Sequence, residues 1–152
     1  MQRYFRPAAR LVILNEENEI LLIRHKRYWA LPGWGIDIWE SIETALNRES
    51  IEELNTPAQM DQIIFIQDYL DERREWKIHA LEYFCTVKNT KDFENVVQNS
   101  QDASHSFEYV ELAWFDVNNF PEKFMPIAFP DVIKNYIENK NNFPTKYITW
   151  IK

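Results

Sequence analysis

The chain has 152 residues, of which 45% are hydrophobic and 27% charged, an ordinary composition for one globular domain that excludes disorder throughout. Its net charge of −7 disfavours binding to a nucleic-acid backbone, which requires a basic surface. Cys85 is the only cysteine, so no disulfide can form within the chain, which is typical of a reducing, cytoplasmic location. No run approaches the ~18 apolar residues of a membrane helix, so we expect no membrane partner.

Glycine is scarce in this chain. Average usage predicts about 11 glycines at this length, whereas the sequence has two, Gly33 and Gly35. Three of the six tryptophans, Trp29, Trp34 and Trp39, surround them. The backbone freedom that glycine supplies is concentrated in one short segment, so we expect a functional loop there.

The first third of the chain predicts strands, a loop and a helix. Residues 8–14 and 20–23 are apolar runs on either side of a polar turn, so we expect them to pair as a hairpin. Residues 24–40 read as a loop with a short strand at 29–31. The spacing of apolar residues predicts a helix over 41–54.

The remainder predicts a second pair of strands, at 63–70 and 77–87, joined by a charged turn. Residues 88–106 are polar and lack periodicity, and a loop of that length is usually functional or disordered. A strand is expected at 107–115 and a helix after Pro130. Together these elements indicate an α/β fold, a mixed sheet with helices on its faces.

We interpret residues 1–152 as a single domain with a core over about 6–140 and a tail at 141–152. The tail is apolar again at 147–151. It could cap the core or form a subunit contact, so the sequence leaves open whether the protein forms a homodimer.

The predicted helix carries carboxylates where a core stripe is expected. On a helical wheel with about 100° per residue, Glu49 and Glu53 fall in line with its apolar residues. Burying carboxylates together is costly unless a cation compensates. We expect Glu49, Glu52 and Glu53 to converge on one point, where a hard divalent cation would bind, and Arg48 to hold Glu52.

The charged residues of this segment follow a known spacing. Glu40 is followed by seven residues and then by Arg48-Glu49-Ser50-Ile51-Glu52-Glu53, and Leu31-Pro32-Gly33 leads into the segment. This pattern resembles the signature of the Nudix hydrolase family. Together with the strand order, the resemblance covers roughly residues 6–140 and implies a Nudix-type α/β/α sandwich with a mixed β-sheet between helices.

The resemblance implies a pyrophosphohydrolase that depends on a divalent cation and cleaves a small-molecule nucleoside diphosphate derivative. The cofactor it implies is Mg²⁺, with Mn²⁺ as an alternative. By position, the metal ligands would be Glu49, Glu52, Glu53 and the carbonyl of Gly33. The residues implied in catalysis are Arg48, Glu49, Glu52 and Glu111. The general base is expected to be Glu49 or Glu52, with the downstream acid Glu111 as an alternative and Glu108 as a weaker candidate. Those expected to bind substrate are Arg24, Trp34, Gly35 and Glu40.

Three positions depart from the family pattern. Trp34 stands at the first glycine of the signature, Ser50 at a hydrophobic position and Asn55 at the last glycine. These departures favour an alternative, a catalytically silent Nudix-like module that binds a nucleotide or a protein. The intact acidic positions favour the enzyme.

Overall fold

The computed structural model describes the backbone of residues 1–152 and every side chain except that of Asn141. The strands are β1 (Gln2–Val12), β2 (Glu19–Arg24), β3 (Trp29–Ala30), β4 (Met60–Glu72), β5 (Trp76–Val87), β6 (Glu111–Asp116) and β7 (Lys146–Ile151). The α-helices are α1 (Ile42–Leu54), α2 (Val96–Asn99) and α3 (Phe129–Glu138), and short 3₁₀ turns lie at Thr90–Phe93, Ser100–Asp102, Ser106–Glu108 and Lys140–Asn142.

The strands form two sheets. The larger has the order β1-β5-β4-β7 and is mixed, because β4 and β5 are antiparallel whereas β1 runs parallel to β5 and β7 runs parallel to β4. The smaller sheet, β3-β2-β6, is antiparallel. The predicted pairing of the two strands around the charged turn at 71–75 is confirmed.

The two long helices cover opposite faces of the strands. Successive residues of a strand point to opposite faces, and in β1 Leu11 packs in one core cluster while Val12 packs in the other. The first cluster includes Ala45, Leu46 and Leu54 of α1, and the second includes Val132, Ile133 and Tyr136 of α3. This arrangement confirms the expected sandwich, with its strands divided between two sheets.

The predicted hairpin between the first two strands is wrong. The two runs meet beside the turn, at the bridge Leu14–Ile20 and through the Leu21 amide, which donates to the Ile13 carbonyl at 3.1 Å. Strands β1 and β2 then lie in different sheets. The reason is that β1 finds a longer partner in β5, with eleven residues in register. The residues at 15–18 determine only the local turn, whereas the strand that pairs with β1 comes from a distant part of the sequence.

Two other expectations need correction. The polar segment 88–106 is neither irregular nor wholly at the surface: it folds into short helical turns, and its Phe93 and Val96 are fully buried in the cluster beneath α1. The strand predicted at 107–115 begins only at Glu111, because residues 106–108 form a 3₁₀ turn that leaves Phe107 exposed.

The tail adds an edge strand to the larger sheet. β7 pairs with β4 from Phe65–Lys146 to Leu70–Ile151, and the Thr145 hydroxyl donates to the Ile63 carbonyl at 2.7 Å. Across the described residues, none of the helices has the length and the apolar run required to cross a bilayer.

Candidate active site

The loop that carries Gly33 and Gly35, the glycine loop, lies along the middle of β1. The amides of Ala9 and Leu11 donate to the carbonyls of Trp34 and Pro32, at 2.9 and 2.8 Å. Gly33 has φ +105°, and a Cβ built on it would lie 2.2 Å from the Ala9 carbonyl oxygen. Glycine is therefore required at position 33, both for its backbone conformation and for the close approach to β1.

Arg10 supports this loop from below. It is a buried side chain whose Nη1 donates to the Gly33 carbonyl at 2.6 Å, and whose Nε lies 3.6 Å from the Glu82 carboxylate. Its guanidinium stacks on the indole of Trp34, 4.6 Å from the ring centroid. Arg10 was not among the predicted site residues, and the signal for it in the sequence was a lone cation inside the apolar run 8–14.

Helix α1 spans Ile42–Leu54, one residue shorter at its start than the predicted 41–54, because Ser41 caps it. The Ser41 hydroxyl accepts from the Thr44 amide at 3.1 Å as the N-cap. Asn55 adopts the left-handed conformation, with φ 53°, and its amide donates to the Ile51 carbonyl. The Ser50 hydroxyl is buried and donates to the Thr56 carbonyl at 2.6 Å, so this departure from the family pattern ties the helix to the chain that follows it.

The predicted phase of the helix is confirmed, because Glu49 and Glu53 are 5% and 4% exposed and share a face with the core residues of α1. Burial raises the pKa of both carboxyls, that of Glu53 to about 8. The Gly33 amide donates to Glu53 Oε2 at 3.3 Å, which joins the glycine loop to the helix.

Arg48 is the hub of the charged network. Its Nε and Nη2 donate to the two carboxylate oxygens of Glu40, at 2.7 and 2.8 Å, a bidentate pair. Nη1 donates to Glu49 Oε1 at 2.7 Å and to Glu52 Oε2 at 3.3 Å, and Nη2 also donates to the Gly35 carbonyl. The hydrogen bonds from Arg48 keep the pKa of Glu40 below its ordinary value and raise the pKa of Arg48 itself.

Glu52 has a second partner in the segment before β6. His105 Nδ1 lies 3.1 Å from Glu52 Oε2, and the His105 amide donates to the Glu52 carbonyl at 2.7 Å. Two contacts thus attach the 3₁₀ turn at Ser106–Glu108 to the helix. His105 showed no ligand-like spacing in the sequence, so only the fold reveals its contact with the carboxylate helix.

The expectation that the three carboxylates converge on one point is not met. Among the residues that the structure describes, no three acidic, histidine or cysteine side chains lie close enough together to bind one ion as they stand. Arg48 draws Glu49 and Glu52 towards itself, whereas Glu53 turns to the Gly33 amide. The metal-binding role of these residues therefore stays a prediction.

The donor set nevertheless fits a hard divalent cation. Glu49 and Glu53 are buried carboxylates with raised pKa values, and a second positive charge would favour their ionised forms. The Gly33 carbonyl accepts from Arg10, and a carbonyl oxygen has a second lone pair for a metal ion. All these donors are oxygens, the ligands that Mg²⁺ prefers.

The other predicted site residues are distributed unevenly. Arg24 and Glu111 are brought together, with 3.0 Å between Arg24 Nε and Glu111 Oε2, in an ion pair at the meeting point of β2 and β6. Neither lines the cavity beside Glu53, whereas Glu108 does. The structure therefore puts the weaker candidate, Glu108, nearer to the carboxylate helix than Glu111.

Two cavities meet at the glycine loop. One, of about 380 Å³, is lined by Gly33, Glu53, Glu108 and His25 among others. The second, of about 310 Å³, lies over the larger sheet. Tyr28 and Trp34 line both cavities. Trp34 is 51% exposed, so part of its side chain is free to contact a bound molecule.

Comparisons with known proteins agree with this geometry. The family model of the NUDIX domain matches residues 4–136. The chain is 25% identical over 144 residues to an ADP-ribose pyrophosphatase of Methanocaldococcus jannaschii, a match that covers 91% of this chain and 78% of the relative.

Solved structures show the same fold at low sequence identity. An ADP-ribose pyrophosphatase from Streptococcus suis superposes with a TM-score of 0.64 at 17% identity, covering 94% of this chain and 98% of that one. A MutT NUDIX hydrolase from Burkholderia pseudomallei gives a TM-score of 0.62 at 21% identity, covering 86% of this chain and 97% of that one. A UDP-X diphosphatase superposes with a TM-score of 0.65 at 16% identity, and the match covers 95% of this chain and 68% of that one.

Proposed function

The chain belongs to the NUDIX family, as a hydrolase of phosphoric anhydride bonds, and we propose that it uses Mg²⁺ to cleave the diphosphate linkage of a nucleoside diphosphate derivative. Mn²⁺ is the alternative cation. The names of two similar proteins, ADP-ribose pyrophosphatase and UDP-X diphosphatase, support a small-molecule substrate of this class.

The observation that carries the proposal is the pair of buried carboxylates, Glu49 and Glu53, on the helix face turned to the glycine loop. Glu49, Glu52, Glu53 and the Gly33 carbonyl would hold Mg²⁺. When bound, Mg²⁺ neutralises the diphosphate, polarises the P–O bond that breaks and lowers the pKa of the attacking water.

The other charged residues of α1 and its loop position these groups. Arg48 fixes Glu49 and Glu52 and connects them to Glu40 and the Gly35 carbonyl, so it holds the loop and the helix in one arrangement. Because Arg48 donates to both oxygens of Glu40, we assign that carboxylate to positioning the site through Arg48.

A carboxylate must accept the proton of the attacking water. We assign this role to Glu108, because it lines the cavity beside Glu53, while Glu49 and Glu52 are engaged by Arg48 and Glu111 is paired with Arg24. Trp34 walls the same cavity, where its exposed indole can stack on substrate.

The three departures from the family pattern favour the enzyme over a silent module, because each is accommodated by the fold. Trp34 lies over Arg10 and leaves the cavity beside Glu53 open, Ser50 has a hydrogen-bond acceptor in Thr56, and Asn55 tolerates the left-handed conformation of the helix end.

A substrate panel tests the proposal. The purified chain would be incubated with nucleoside triphosphates, nucleotide sugars and dinucleoside polyphosphates, and the nucleotide products would be separated from the substrate by anion-exchange chromatography and quantified. We expect turnover of at least one nucleoside diphosphate derivative with Mg²⁺ and none in EDTA. Retained nucleotide binding with no turnover on any member would establish the silent module instead.

A further inference from the structure

The cavity of about 310 Å³ over the larger sheet is built from one face of three strands. Its floor comes from Arg10 of β1, Glu82 and Phe84 of β5, and Gln67 and Tyr69 of β4. In the sheet, Gln67 lies opposite Glu82, and Arg10 lies opposite Phe84, so these side chains are neighbours on the same face. Tyr28 and Trp34 form the rim that it shares with the cavity beside Glu53.

The polar groups of this floor are engaged, with one exception. Arg10 and Glu82 form an ion pair, and the Tyr69 hydroxyl donates to Asp71 Oδ2 at 3.2 Å. Gln67 is 8% exposed, and among the described residues its side-chain amide has no hydrogen-bond partner. Its polar atoms are not fully enclosed, unlike His25 Nε2, which is buried and unpartnered. Buried amides are usually hydrogen-bonded, so this one is available to a ligand.

The rim supplies two aromatic faces for such a ligand. The Trp34 indole rests on the buried Arg10 guanidinium, which fixes the ring, and Tyr28 stands at the same opening. Bases stack on aromatic side chains whatever their identity. A volume of about 310 Å³ lies at the lower end of the range for small-molecule sites, which suits one ring system rather than a whole nucleotide.

Building on the proposed function, we propose that this cavity, the base pocket, binds the nucleobase of the substrate, and that Gln67 selects a base with an amino group next to a ring-nitrogen acceptor, as adenine has at N6 and N7. The Gln67 amide accepts from the amino group and donates to the ring nitrogen. At the same edge, a base with a carbonyl in place of the amino group presents two acceptors, so neither orientation of the Gln67 amide can form both hydrogen bonds.

A binding experiment tests the base pocket without relying on turnover. AMP and IMP differ in that the amino group of adenine is replaced by a carbonyl, and each would be titrated into the chain in EDTA with calorimetry. We expect AMP to bind roughly 10-fold more tightly, the discrimination of one bidentate pair. Gln67→Leu should reduce that ratio to about one.

A matched control is Gln62→Leu, which removes another glutamine amide of β4 that does not line the cavity. It should leave the AMP-to-IMP ratio unchanged. Circular dichroism would show whether Gln67→Leu keeps the fold; if it does not, the shorter amide variant Gln67→Asn gives the same test, with a weakened ratio expected.

The outcomes separate the two proposals. Equal affinity for AMP and IMP in the unaltered chain, or an unchanged ratio in the folded Gln67 variants, would overturn the base pocket. Selective AMP binding with no hydrolysis of any nucleoside diphosphate derivative would uphold the base pocket and contradict the enzyme. Hydrolysis with no preference among bases would support the enzyme and overturn the base pocket.

Discussion

At the scale of single residues, the two glycines differ in what their surroundings allow. Gly33 needs both a positive φ and a close approach to Ala9, whereas nothing lies within 4 Å of a Cβ built on Gly35. We expect Gly33→Ala to lower the free energy of unfolding by about 2 kcal/mol or more. Gly35→Ala should change it by no more than about 0.5 kcal/mol. Urea unfolding of both variants measures the difference, and equal losses would contradict the role of Gly33.

The carboxylates of α1 give a second prediction. Glu52→Gln and Glu53→Gln keep the size of the side chain but remove the negative charge that a metal ion needs. We expect each to lower kcat at least ~100-fold with little effect on the melting temperature. Near-normal turnover in either variant, measured with saturating Mg²⁺, would remove that residue from the proposed ligand set.

Glu108 and Glu111 form a matched pair for the proton acceptor. Glu108 lines the cavity beside Glu53, and Glu111 is tied to Arg24. Glu108→Gln should lower kcat by about 100-fold or more, the usual loss for a general base, whereas Glu111→Gln should lower it by much less. The pH dependence of kcat would show which variant loses its acidic limb, and the opposite order of effects would restore Glu111 to the role.

At the scale of elements, α1 is the part of the site that could be predicted from the sequence. A helix repeats every 3.6 residues, so the burial of Glu49 and Glu53 follows from local spacing alone. The strand that pairs with β1 cannot be predicted from local spacing, because that strand, β5, lies far along the chain. The base pocket could not be predicted from the sequence for the same reason. Gln67, Glu82 and Arg10 become neighbours only through the register of three strands.

The end of α1 gives a prediction at this scale. Asn55 has φ 53°, a conformation that costs other non-glycine residues about 1–2 kcal/mol and glycine almost nothing. Asn55→Ala should therefore lower the free energy of unfolding by about 1 kcal/mol, and Asn55→Gly should preserve or raise it. Thermal unfolding compares the two. A more stable alanine variant would mean that Asn55 has no role in capping the helix.

At the scale of the whole molecule, the buried carboxylate of Glu53 connects stability to pH. Its pKa of about 8 in the folded chain is above the ordinary value of about 4.3. Between these values the folded state retains a proton that the unfolded state has released, so without metal the free energy of unfolding falls as pH rises through this window.

Mg²⁺ should act in the opposite direction over the same range, because it binds the ionised carboxylates. We expect the increase in melting temperature on adding Mg²⁺ to be larger near pH 8 than near pH 5. Glu53→Gln has no carboxyl to titrate at this position. It should therefore reduce the pH dependence of the free energy of unfolding and of the increase in melting temperature caused by Mg²⁺. An Mg²⁺ increment that does not change with pH in the unaltered chain would contradict the proposed site.

The scarcity of glycine also makes this protein convenient for spectroscopy. A sample labelled with ¹⁵N only at glycine has two backbone amides to observe, and both belong to the loop between β3 and α1. The Gly33 amide is bonded to Glu53, and the Gly35 carbonyl is bonded to Arg48. Two resonances in an otherwise silent amide spectrum would thus report directly on the candidate site, and titrations with Mg²⁺ or a nucleotide could be followed without assigning the remaining residues.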